Sequence, residues 1–171
     1  IGSNVSTYST AETKTITLDG NKDIVEKNNQ KSGALIVSNG ADINIGSNVI
    51  IKNNINNSDI GYGGAILVYG SSENKPVINA TIENCYSTKD GGAICVVGTD
   101  FESNGKISNC SAKGNGGGIA ILTEEEVESQ TQSLIRKLYG GKTNIEFMLN
   151  VDSTSEATIS ESIVGCEAAN G

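Results

Sequence analysis

The 171-residue chain has no histidine, no tryptophan, a single proline and only seven aromatic residues, five Tyr and two Phe. Each scarcity excludes something. Without histidine the commonest general base is missing, along with the Cys–His pairing of thiol nucleophiles and the usual mixed zinc sites. With so few large rings, the core must be filled by Ile, Val, Leu and Ala. No stretch approaches the roughly 20 apolar residues of a membrane-crossing helix, and none reads as a secretory signal. Twelve basic residues against 20 acidic ones leave a formal net charge of −8. That balance disfavours an electrostatic grip on nucleic acid or on an anionic membrane. The chain opens on a polar, turn-rich stretch and stops at CEAANG, the pattern expected of a segment of something longer.

Glycine (21) and asparagine are abundant instead. Both suit tight turns, glycine through its backbone freedom and asparagine through left-handed conformations and local hydrogen bonds. The glycines are periodic. Gly-Gly pairs open the runs GGAILVYG at Gly63, GGAICVVG at Gly91 and GGGIAILT at Gly116, spaced 28 and 25 residues apart. GALIVSNG at Gly33 stands 30 residues before the first of them. A second marker precedes the pairs: IENC ends at Cys85 and ISNC at Cys110, each six residues ahead of its glycines. IKNN ends at Asn54 and IVGC at Cys166. The runs are short, β-branched and bounded by turns, which is a strand signature.

A period of 25–30 residues built of short strands predicts an all-β fold, a right-handed parallel β-helix of the pectate-lyase-like kind. About five coils, with about three strands per turn, would make residues 1–171 a single unit. A β-sandwich is the alternative, but hairpin dipeptides do not join the runs at sandwich spacing. Stacking places Ile66, Ile94 and Ile119 in one ladder and Val68, Val96 and Ile121 in another. Cys85, Cys110 and Cys166 form a third, with Asn54 as its earlier member.

The period breaks after Leu122. TEEEVESQTQSLIRKLYGG carries a capping box in Thr123 and Glu126, three glutamates in the first turn, Arg136 and Lys137 near the end, and a glycine stop. A helix is expected from about Glu124 to Tyr139, followed by a strand in KTNIEFMLNV. Together they make an insertion over 124–154. Val127, Leu134, Ile135 and Leu138 share one helix face. The strands before the insertion are apolar on both faces, and such sheets are covered on both. The expectation is that the helix lies over Leu67, Cys95 and Leu122; the rival is a face left bare for a partner.

No catalytic, cofactor-binding or metal site is predicted. The four cysteines, Cys85, Cys95, Cys110 and Cys166, include no CxxC pair. Without a histidine or basic cluster to lower their pKa they read as small buried hydrophobes. Neighbouring rungs could bring Cys85 and Cys110 within disulfide reach, yet in-register side chains point the same way, so free thiols are favoured. Glycoside hydrolysis needs two carboxylates about 5–10 Å apart. Glu83, Asp90, Glu156 and Glu161 are the carboxylates in view, and they read as solvated surface. Sequons at Asn4, Asn56, Asn79 and Asn109 are of a kind that arises by chance in an asparagine-rich chain.

The GGAI, GGAI and GGGI runs, preceded by Ile-x-x-Asn/Cys, resemble the GGA(I/L/V) and FxxN repeats of the chlamydial polymorphic outer-membrane proteins and related adhesin-like surface proteins. The resemblance covers Ile51 to Leu122 and Thr158 to Gly171. Ile82, Ile107 and Ile163 stand where the family prefers Phe, and Cys85, Cys110 and Cys166 where it prefers Asn. It implies an exported, surface-displayed β-helical passenger or stalk engaged in adhesion, with a host, cell-surface or glycan partner. The insertion, Glu124 to Thr154, is the best contact candidate. The alternatives are a carbohydrate-active β-helix whose groove lies outside this chain, and a purely structural spacer.

Overall fold

The computed structural model describes residues 14–70, 74–139 and 157–169. The protein is mostly β, and all the strand pairs described are parallel. Four sheets are built by the same rule: strands adjacent in a sheet come from successive repeats. The first sheet pairs Ile16–Asp19, Val49–Lys52, Thr81–Glu83, Ile107–Ser108 and Ile163–Val164 in that order. The second pairs Ile36–Asn39, Ile66–Tyr69, Ile94–Val97 and Ile119–Leu122. The third pairs Asn44–Ile45, Val77–Ile78, Phe101–Ser103 and Ala157–Ile159, and the fourth Ile55–Asn56, Tyr86–Ser87, Ser111–Ala112 and Glu167–Ala168.

Each complete repeat therefore contributes four strands where the sequence reads as three. The extra break falls inside the Ile-x-x-Asn/Cys marker. Asn53, Asn84 and Asn109 adopt φ of 51°, 53° and 53°, and Gly165 takes the same place at 62°. A left-handed residue turns the chain out of the strand direction, so the apparent single run splits between the first and fourth sheets. Asparagine suits this corner for a second reason. The Asn84 side-chain amide donates to Asn53 Oδ1 at 2.7 Å, and Asn53 Nδ2 donates to Asp19 Oδ2 at 3.2 Å.

The register is as the repeat predicts. Ile66, Ile94 and Ile119 pair in one ladder, and Val68, Val96 and Ile121 in another. Side chains alternate across a strand, so the second sheet serves two cores. Ile66, Val68, Ile94 and Val96 enter a cluster with Ile51, Ile78, Ile82, Phe101 and Ile107, drawn from the other sheets. Leu67, Tyr69, Cys95, Val97 and Ala120 point the other way, into a second cluster.

Val127, Leu134 and Ile135 of the insertion close that second cluster, so the outer face is covered by the helix and not left bare. The helix is shorter than its sequence pattern. Glu124–Glu126 form a single 3-10 turn, and the α-helix proper runs Ser129–Tyr139. The capping box closes that first turn: the Glu126 carboxylate accepts from the Thr123 N–H at 2.7 Å and from its hydroxyl at 3.1 Å. Val127 then leaves the helical region (φ −88°, ψ 127°) and is 2 % exposed within the apolar cluster. The expected strand in 142–151 lies outside the described residues. A six-residue helix, Lys22–Lys27, was not legible in the sequence: it buries no side chain and so carries no apolar stripe.

Candidate functional site

Two groupings of polar or reactive side chains stand out from the repeat. The first is the cysteine ladder. Main-chain bonds run Tyr86 N to Asn54 O, Ser111 N to Cys85 O and Glu167 N to Cys110 O, at 2.8–3.0 Å. Asn54, Cys85, Cys110 and Cys166 thus hold one position in four successive repeats. All four cysteines are free. Cys85 and Cys110 are buried, and each donates to the carbonyl two residues back at 3.4 Å, Glu83 O and Ser108 O respectively. The hydrogen bond with Cys85 pushes the Cys110 thiol up, and burial adds to this. Burial likewise raises Cys95, with the Asp90 charge as a second cause, and burial is the leading cause at Cys166. Cys85 runs the other way, lowered by its hydrogen bond with Cys110, so it is the burial of Cys85, Cys95 and Cys110 that marks them as small core hydrophobes. Asn54 uses its amide for structure, donating to Gly33 O at 3.0 Å and to Gly64 O at 2.6 Å.

The second grouping is a shallow surface groove of about 440 Å³ where the start of the insertion meets the turns before the Gly-Gly pairs. Its floor is the turn stack. Lys89 N donates to Gly61 O at 3.1 Å, and Gly114 N to Lys89 O at 3.0 Å, so the three turns stack on one another, Gly61 alone being left-handed at φ 70°. Gly63 N donates to Asp90 O and Gly91 N to Asn115 O, which makes Tyr62, Asp90 and Asn115 equivalent. Thr88 and Lys113 complete the floor, and Glu128 supplies the opposite wall.

Lys89 ties the groove together. Its Nζ lies 3.0 Å from Glu128 Oε2, 2.9 Å from Thr131 Oγ1 and 4.9 Å from the centre of the Tyr62 ring. The Tyr62 phenol is pushed up to about 12, chiefly by burial and secondarily by the Asp90 and Glu128 charges. Asp90 Oδ1 accepts from the Asn115 N–H at 2.5 Å. A Cβ at Gly114 would sit 2.3 Å from that same oxygen, so the glycine is what leaves room for the carboxylate.

Compared with known proteins, the chain matches no family model, no curated protein and no solved structure. The site must therefore be read from its own residues. Of the carboxylates singled out in the sequence, Asp90 lies in the groove. Glu83 is half-buried in the first sheet, in register with Lys52 and Ser108, and Glu161 is exposed on a turn. Glu156 lies outside the described residues. The sequon residue Asn56 is buried, with its amide donated to Tyr62 O and Gly63 O. Asn79 is half-buried, Asn109 is exposed at its corner, and Asn4 lies outside the described residues. Among the described residues no three His, Cys, Asp or Glu side chains converge as a metal would require, and no helix is long and apolar enough to cross a membrane. Sequence reasoning missed Lys89, Lys113, Asn115 and Glu128. The available signal was that the turn positions change in charge from repeat to repeat while alternate strand positions stay Ile or Val.

Proposed function

We propose that the four parallel sheets are the sides of a right-handed parallel β-helix of about five coils, and that the chain is a non-catalytic segment of a cell-surface adhesin of the passenger type. The carrying observation is the shared register: each complete repeat gives one strand to every sheet, within a stack that runs from Ile16 to Ala168. Parallel strands joined within one sheet by a crossover are right-handed in nearly all proteins, which supports the hand. Stacking at about 4.8 Å per rung makes a rod on the order of 25 Å long. The Asn/Cys and Gly-Gly markers occupy successive corners, the role that a repeat resembling the chlamydial surface proteins would require of them.

In this reading the strand positions are committed to the two cores, and recognition falls to side faces and to the insertion. The partner is a host or cell-surface protein or a glycan, met outside the cell. Cell-binding and glycan-array assays on the purified chain test it, alongside a reducing-end release assay on polysaccharides. Saturable binding without sugar release is the expected outcome. Release of sugar, lost on neutralising an acidic pair, would establish a carbohydrate-active enzyme instead. Absence of binding to every surface would leave a spacer.

A further inference from the structure

Resting on the adhesin reading, we infer that the groove between the turn stack and Glu128 is a binding site for a neutral pyranose unit of a glycan. Three observations carry this. First, the fold does not dictate the groove's side chains. At one backbone position the successive repeats place Lys89 and Gly114, and at the next Tyr62, Asp90 and Asn115. The strand ladders beside them keep Ile or Val at two alternating positions, Ile66/Ile94/Ile119 and Val68/Val96/Ile121. A turn that takes lysine in one repeat and glycine in the next does not need the lysine for its own conformation.

Second, polar capacity remains after the internal bonds are counted. Lys89 is occupied by Glu128, Thr131 and Tyr62. Asp90 commits one oxygen to the Asn115 N–H. Among the described residues no donor reaches Asp90 Oδ2, and the exposed Lys113 ammonium and Asn115 side-chain amide have no hydrogen-bond partner. A carboxylate acceptor, an ammonium donor and an amide offering both therefore line one groove.

Third, the local charge is balanced. Lys89 and Lys113 oppose Asp90 and Glu128, so a phosphate or uronate meets two carboxylates and a cation meets two ammonium groups. A neutral polyol avoids both penalties, and its adjacent hydroxyls both donate to Asp90 and accept from Lys113 and Asn115. The groove is shallow and open to solvent, and its volume of about 440 Å³ gives room for a sugar ring lying against the turn stack. The chemistry is binding only, and no bond is made or broken.

Saturation-transfer NMR with the methyl glycosides of glucose, galactose, mannose and N-acetylglucosamine tests the site on the intact chain, with galacturonate, glucosamine and inorganic phosphate as charged comparators. At least one neutral glycoside is expected to bind, and K113A/N115A to weaken it at least tenfold. Circular dichroism should be unchanged, since both side chains are exposed. Preference for a charged comparator, no neutral binding, or neutral binding that survives K113A/N115A would each overturn the groove. These failures differ from failure of the adhesin reading. Cell or glycan-array binding that persists in the double variant leaves the adhesin standing without this site. Glycoside binding by a chain that engages no cell surface leaves the site without the adhesin.

Discussion

At the scale of single residues, the repeat is held by positions where a side chain has no room and by positions where one is indispensable. Gly91 adopts φ 74°, and a Cβ on its neighbour Gly92 would lie 1.9 Å from Gly117 O. The obstacle is main chain of the next repeat and cannot swing aside. Gly92→Ala is therefore expected to cost about 3 kcal/mol or more, read as a lowered denaturant midpoint. Tyr62 is the opposite case. Its folded-state pKa is raised from 10.0 to about 12. The stability contributed by the neutral phenol is complete below about pH 10 and is lost as pH rises through about 12. An absorbance titration of the phenolates should show two late-ionising tyrosines, Tyr62 and Tyr69, of which one disappears in Tyr62→Phe, and alkaline unfolding of that variant should begin at higher pH.

At the scale of elements, the helix and the sheet it covers do unequal work. The sheet strands are bonded to neighbours in successive repeats, whereas the helix is held by the Val127 and Ile135 side chains and by Lys89. The Lys89–Glu128 pair is largely exposed on the glutamate side, which limits it to about 1 kcal/mol or less. Apolar docking must dominate. Ile135 is fully buried, so Ile135→Ala should weaken docking by about 2 kcal/mol or more. Cys95, 0 % exposed beneath the helix, reports on this directly. Its alkylation should be slow in the parent chain and accelerate at least tenfold in Ile135→Ala. Equal rates in the two would mean that the helix does not guard it.

At the scale of the whole molecule, the two clusters should respond differently to denaturant. Cys85 and Cys110 belong to the cluster enclosed by several sheets, while Cys95 belongs to the one closed by the helix. Local opening of the helix exposes Cys95 alone, and access to Cys85 and Cys110 requires separating the sheets. Mass spectrometry of thiols labelled across a denaturant series should find the half-buried Cys166 modified from the outset, Cys95 next, and Cys85 and Cys110 together at the main transition. Simultaneous labelling of Cys95, Cys85 and Cys110 would show that helix and sheets unfold as one unit.

The sequence by itself determined the parallel ladders. Ile66, Ile94 and Ile119 recur because a repeated rung presents the same backbone to the same core, and the alternation of Leu67 and Val68 already announced a sheet buried on both faces. The corner was only half legible: Ile-Glu-Asn-Cys reads as one strand until the left-handed Asn84 divides it, and backbone handedness is not written in hydrophobic pattern. The helix was legible from its caps and stripe, but its start at Ser129 depended on Val127 finding a place in the apolar cluster. The groove was not legible at all. Asp90, Lys113, Asn115 and Glu128 belong to different turns and to the insertion, and stand apart in the chain. Only stacking turn upon turn, with the helix laid beside them, brings them together, because periodic burial constrains the strands and leaves the turn side chains free.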